Sequence, residues 1–545
     1  MEMAVWWNSM VVMEFDPLGG GNKMRKKSCA ILLLCLVLMG SFAGICLAAG
    51  TLVVALEAEP TSLDPHQLTD YNSVRAAAAL FETLTQFKPG TTEIIAGLAE
   101  SWEMSDSGLE YTFHLRQGVL FHDGTTFTAD DVKFNFERQT DPNHPYYDTG
   151  VFGYADFTLG MIDSIEVVDD YTLVFDLNYT FPPFLRNLAM LSAALVSPES
   201  LEEYGADIVV HPVGTGAFQF REWEPGVRVV LDRNPTYWGE PATLDTLIFR
   251  PIINPQSRLA ALEAGEVDFM VNPPPEDVAR LQNDSRFHVE AELGQHTWWV
   301  VLNCQMEPFD NKLVRQAVHY AVDKAAIVEV ILRNTGEVAV NPLPPNVWSY
   351  TEDLKIYDYN PQMARDLLAT AGYPNGFEVD FWVPETGSGM QQPVEMATAI
   401  QAYLAAVGVT ANIMTWEWGT YLDKVFGPPA DELPAMHEMS WIMDNGDPDN
   451  FLYILLSGEQ WPLDGFNEAF YQNEEVDRLL REARTELDPA TREILYIEAQ
   501  QLIAEDSPWI WVDHAYETFV MRAGIQGFVF QPTQGVLRFE RVVFE

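Results

Sequence analysis

The stretch AESWEMSDSGLEYTFHLRQGVLFHDGTTFTADDVKFNFER, residues 99–138, decides the fold. Its first part reads as a pair of strands around the Ser105-Asp106-Ser107-Gly108 turn. Its end is helical. Thr128-Ala129-Asp130-Asp131 sets an N-cap hydroxyl three residues before a carboxylate, close to a capping box.

Outward from this stretch, strand and helix signals alternate without low-complexity linkers or short repeats. Residues 52–56, LVVAL, are an apolar strand. The runs IDSIEVV and YTLVFDL within 162–177 alternate around Asp169-Asp170 and predict a hairpin. Residues 227–231 predict another strand, ended by Asn234-Pro235. Asn360-Pro361 starts a helix expected to bury Met363, Ala364, Leu367 and Leu368 and to stop at Gly372. Residues 311–332 repeat apolar positions at Val314, Ala317, Val318, Ala321 and Ile327, the spacing of one helical face. Residues 474–485 and 489–504 give two more amphipathic helices. The chain has 545 residues, too many for one hydrophobic core, so this alternation predicts two or three α/β domains. Hydrophobic residues at 48% and aromatics at 12% supply ample core and exclude general disorder.

Charge excludes some partners. Asp and Glu number 80 against 31 Lys and Arg, a formal charge of -49. Nucleic acid and anionic membrane faces need basic patches, so neither is expected as a partner. The acidity reads as a solubility device. Attraction of cationic solutes is the other reading, screened by salt beyond about 10 Å. Of the four cysteines, Cys29, Cys35 and Cys46 lie near the N-terminus, which leaves Cys304 to pack as a small apolar residue with no disulfide partner.

Residues 24–49 have the three-part plan of a signal peptide. Met24-Arg25-Lys26-Lys27 is basic, 30–39 is apolar, and 41–49 is small, with cleavage expected after Ala48 or Ala49. Met24 then reads as the true start. Two alternatives stay open: an uncleaved membrane anchor, since 30–49 is about long enough to span a bilayer, and a lipoprotein site at Cys46, against which Ile45 argues. The protein is therefore expected in the periplasm or outside the cell.

No GxSxG elbow, Walker loop, HExxH helix or dinucleotide fingerprint occurs, so no cofactor, metal or catalytic residue is expected. His437-Glu438 begins like a zinc helix, but Trp441 stands where the second His belongs. An exported hydrolase with a carboxylate pair remains an alternative class. A sensory or chaperone receptor on the same fold is another.

Seven segments in order resemble bacterial extracellular solute-binding proteins of family 5, the dipeptide-, oligopeptide- and nickel-binding proteins of ABC transporters. They are residues 99–138; EPTSLDP at 59–65; GTGAFQF at 214–220 with the W-x-PG-x-R-x-V-x-L-x-RN-P-x-YW run behind it; LVRQAVHYAVDKAAIV at 313–328; YNPQMARDLLATAGYPNGF at 359–377; WEWG at 416–419; and DNGDPDNF at 444–451. The resemblance implies a type II periplasmic-binding-protein-like α/β fold. One lobe would comprise 51–85, 214–301 and 518–545, an inserted domain 86–213, and a second lobe 303–517, with hinge closure on a ligand. It also implies a monomer that carries a peptide or similar small molecule to an ABC permease in the membrane, with a separate cytoplasmic ATPase.

Candidate ligand contacts follow. Taken alone, Asp444, Asn445, Gly446 and Asp447 are turn formers beside Pro448. A calcium loop is a further reading, but the downstream Glu of an EF-hand is missing. The resemblance implies that Asp444 pairs with a peptide's amino terminus, a charge-assisted hydrogen bond, while Asp447 shapes the turn. Thr61, Ser62 and Leu63 are expected to offer backbone groups to an extended ligand. Trp298 and Trp299 are neighbours in a strand-like run, so they face opposite ways, and one of them, Trp298, is expected in the cleft. Trp416, Trp418 and Trp441 are candidate pocket walls. Dipeptide-binding relatives place a carboxylate-holding Arg where this chain has PETGSGM, near Gly387. No Arg or Lys occurs from 377 to 421, which favours longer peptides or a solute without a free carboxylate.

Overall fold

A computed structural model describes residues 50–387, 389–426, 434–462 and 465–545. The expected leader and the cysteines at 29, 35 and 46 lie outside the described residues.

Residues 99–138 fold as their sequence predicts. Ala99–Met104 and Glu110–Leu115 pair antiparallel. The Asp131 carboxylate accepts from the Thr128 backbone N–H at 2.7 Å and from its hydroxyl at 3.0 Å, and the helix Ala129–Thr140 begins there. The hairpin Ile162–Asp169 and Thr172–Leu177 completes a four-stranded sheet. The helix and sheet share a core in which Phe113 and Phe175 meet edge to face, with Phe136 stacked on Phe175. Arg138, at the end of the stretch, ties this unit to the 59–65 segment. Its guanidinium donates to both oxygens of Asp64, at 2.7 and 3.2 Å, and all of these atoms are buried. Burial opposes the Asp64 carboxylate, yet Arg138 and His66 hold it below its ordinary range.

The second sheet has eleven strands. Two long antiparallel strands, Phe287–Leu302 and Trp509–Arg522, lie at its middle and run through both of its halves. On one side Trp509–Arg522 pairs with Phe269–Val271, and the sheet continues through Thr51–Leu56, Thr246–Pro251, Arg228–Arg233 and Phe218–Glu224. On the other, Phe287–Leu302 pairs with Met436–Ile442, followed by Glu378–Pro384 and Thr410–Trp416. The ladder between the two long strands slips between Leu293 and Thr297, and again at Trp298–Trp299.

In this second half both faces of the sheet are covered, as its near-continuous apolar strands require. Trp299, Val301 and Met439 face one core, where Trp299 stacks on Trp509 at 4.1 Å. Trp298, Val300 and Leu302 face the other, against Val318 and Phe381. The two tryptophans do face opposite ways. Neither reaches a cleft, however: Trp298, expected as a ligand contact, is a core residue. Cys304 packs at the margin of the Trp299 core and is only partly covered.

Two local expectations need correction. The helix read over 311–332 stops at Ala321. Val322 turns extended, and Asp323 caps a fresh turn by accepting from the Ala326 N–H. A β-branched residue followed by an Asp that competes for backbone donors breaks the helix where apolar spacing alone continues it. In Pro361–Thr370, Ala364 and Leu368 are buried, whereas Met363 lies on the flank of that stripe and is 43% exposed.

Candidate functional site

A cavity of about 530 Å³ opens where the two halves of the large sheet meet the 99–195 unit. Its walls come from far-apart segments: Asp70 and Tyr71 at a helix start, Tyr154 and Leu191 from the smaller unit, His296 on a long strand, Trp418 and Phe426 on the helix Trp418–Phe426, Trp441 on the strand Met436–Ile442 and Asp444 just after it. Aromatic rings dominate. Trp441 and Phe466 lie 5.3 Å apart, and Tyr154 is 6.1 Å from Trp441. Such a lining suits an apolar ligand fixed by few polar groups.

Asp444 is the distinctive polar group. It is 5% exposed and its Oδ2 has no hydrogen-bond partner. Burial, with no cation beside it, pushes its carboxyl up to about 8. The backbone around it is rigid. The Asp444 N–H donates to Asn450 Oδ1 at 2.8 Å. Asn445 donates through Nδ2 to Asn187 Oδ1 at 2.7 Å and accepts from the Asp447 N–H. Gly446 has φ +67, and a Cβ there would sit 3.2 Å from Thr92 and Thr533 side-chain carbons. Asp447 is gripped by Arg492 and also accepts from the Asp449 N–H. Of these four residues, Asp444 lines the cavity; Asn445, Gly446 and Asp447 hold its loop.

Trp418 and Trp441 line the cavity. Trp416 does not: its ring lies under Lys424 Nζ at 4.3 Å and against Trp382. Thr61, Ser62 and Leu63 are also outside the lining, and the N–H groups of Thr61 and Leu63 are engaged. The Thr61 N–H donates to Ser73 Oγ, the Leu63 N–H to the Val209 carbonyl, and Ser62 Oγ accepts from the Asp64 N–H. The extended-ligand role expected for them finds no free donor at Thr61 or Leu63.

Sequence reasoning missed Tyr71, Tyr154 and His296. His296 is 1% exposed, and neither ring nitrogen has a hydrogen bond. Burial, then Arg75, pushes its ring down to about 4, so it is neutral at physiological pH. The Tyr71 hydroxyl donates to Glu517, which Arg75 also binds at 3.0 Å. The glycine segment expected near the carboxylate end does approach the cavity: a Cβ on Gly389 would stand 3.0 Å from His296 and 3.2 Å from Tyr71. His437-Glu438 lies on a strand, and no cluster of three metal-ligating side chains occurs among the described residues.

A guest-sized cavity in which Asp444, among the described lining residues, is the buried acid with an unpartnered oxygen suits a solute-binding protein. The family that follows is specific. Residues 93–462 match the bacterial extracellular solute-binding proteins, family 5, middle region, and the chain belongs to that family. It is 37% identical over 499 residues to heme-binding protein A of Haemophilus influenzae, covering 88% of this chain and 90% of that one. It is 35% identical over 543 residues to the dipeptide-binding protein of Escherichia coli, covering 96% and 100%. Among solved structures it resembles the ABC transporter-associated periplasmic binding protein DppA from Helicobacter pylori in complex with peptide STSA. The TM-score is 0.84 at 36% identity, over 91% of this chain and 98% of that one. The fold is that of the type II periplasmic binding proteins, and the protein is a carrier of solute, not an enzyme. No helix among the described residues is long and apolar enough to cross a membrane.

Proposed function

We propose that this chain is the substrate-binding subunit of an ABC importer. It captures a peptide in the cavity beside Asp444 and presents it to a membrane permease served by a separate cytoplasmic ATPase. The observation that carries the reading is the unpartnered Oδ2 of Asp444. A peptide's terminal ammonium supplies the missing donor, and exclusion of water strengthens that contact. The aromatic walls then take apolar side chains. The relatives named for dipeptides and the complex with STSA support the peptide class.

In this reading residues 51–85, 214–301 and 518–545 form one lobe, 86–213 the inserted domain and 303–517 the second lobe. Cores around Phe249, Phe113 and Phe451 fall mainly in these three parts, while Trp299 and Val301 of the 214–301 segment pack into the last of them. Residues 24–49 act as the export leader, and the protein works as a monomer outside the cytoplasm. Calorimetry with apolar peptides, with mass spectrometry of the peptide recovered afterwards, tests the proposal. Saturable binding and an intact peptide are expected. A peptide returned cleaved, or no saturable binding, overturns it.

A further inference from the structure

The charge of the cavity is one-sided. Asp70, Asp423 and Asp444 reach its lining, and among the described residues no lysine or arginine does. The internal residues outside the description, Ser388, 427–433 and 463–464, include no basic residue either.

The nearby arginines face carboxylates or carbonyls of the fold. Arg75 is paired with Glu517 at 3.0 Å, with its Nη1 3.8 Å from Glu57, and Arg492 is paired with Asp447 at 2.9 Å. Arg186 donates to the Thr92 carbonyl at 2.9 Å. Lys424, next to Asp423, lies over Trp416, outside the lining. His296 is uncharged because burial and Arg75 hold its ring near 4. Where the 384–390 segment touches His296 and Tyr71, it does so through Gly389 at φ +74, with backbone and no charged side chain.

A ligand carboxylate drawn into this space would lose its water and, among the described residues, find no basic side chain in the lining to replace it. A charge taken out of water with no partner in return is disfavoured. An amine meets the opposite situation at the unpartnered Asp444 oxygen.

We infer that the cavity selects an apolar, amine-bearing ligand whose other end is uncharged, such as a peptide with an amidated C-terminus, and discriminates against a free carboxylate. The peptide frame of this inference rests on the proposed function; the charge selection does not.

The test is calorimetry on the purified protein with Leu-Trp-Leu as free acid and as C-terminal amide, alongside tryptamine and indole-3-propionate. The amide is expected to bind about tenfold or more tighter than the acid, the scale of one unpaired buried charge. In Asp423→Arg, an exposed position on the cavity wall, that ratio should shrink severalfold. Equal or tighter binding of the acid by the natural chain, or a ratio unmoved by Asp423→Arg, overturns the inference and leaves the peptide reading standing. If neither peptide binds but tryptamine does and indole-3-propionate does not, the charge selection is upheld and the peptide reading fails. If none of the four binds, both fail.

Discussion

Arg492 grips both oxygens of Asp447, at 2.9 and 3.1 Å, while Asp444, three residues earlier on the same loop, has no cation partner among the described residues. Two buried carboxylates in one turn are thus treated oppositely. One is neutralised by the fold; the other is left for something the fold does not contain. Asp444→Asn keeps the shape but removes the charge. Affinity for an amine-bearing peptide should fall by about 1.5–3 kcal/mol, the range for a hydrogen bond to a charged group. Calorimetry that finds unchanged affinity would place the amine elsewhere.

Arg492→Met leaves Asp447 buried and uncompensated. Breaking a buried pair from one side destabilises by about 3–5 kcal/mol. Urea unfolding should show that loss. An Asp447→Asn/Arg492→Met double variant should recover part of it, because no stranded charge remains. A single variant as stable as the natural chain would mean that the pair is not buried in solution.

Binding should release protons. Without ligand the Asp444 carboxyl keeps its proton up to about pH 8, whereas an ammonium partner requires the carboxylate. Affinity should therefore rise with pH from 6 and level off near 8, where the ligand's own α-amine, with a pKa of about 7.7–8.0, begins to lose its charge. Calorimetry at pH 6 in two buffers of different ionisation enthalpy should show up to one proton leaving per ligand, and none in Asp444→Asn. Folding runs the other way. The folded-state value lies above the ordinary 3.8, so the folded chain binds the extra proton. Between about pH 4 and 8 the contribution of this residue to stability falls as pH rises.

Gly446→Ala tests the loop geometry. The residue sits at φ +67, and its new Cβ would press on Thr92 and Thr533. The left-handed conformation alone costs roughly 1–2 kcal/mol for an L-residue, so thermal unfolding should come earlier and peptide affinity should drop with it. An unchanged melting temperature would rule out this backbone conformation.

Local features were legible in the sequence because their causes are local. Thr128 and Asp131 are three residues apart, and the 162–177 hairpin turns on adjacent aspartates. Strand parity correctly set Trp298 and Trp299 on opposite faces. It gave no warning that helices cover both faces there, so a predicted cleft residue became core. Asp444 was readable through its family setting. His296, Tyr71 and Tyr154 were not, since each lies in an unremarkable segment and only the long-range packing brings them to one cavity. Asp64 shows the same limit: nothing in the 59–65 segment announces its partner, yet Arg138, 74 positions away, takes both of its oxygens.

The amide of Asn445 fastens the Asp444 loop to Asn187, a partner 258 positions earlier in the chain, and Arg186 reaches the Asn445 carbonyl beside it. These contacts tie the Asp444 loop to the 186–187 turn behind the cavity wall. Any rearrangement that parts these two segments must break one amide pair and one guanidinium–carbonyl contact, so the position of Asp444 is coupled to that of residues 186–187.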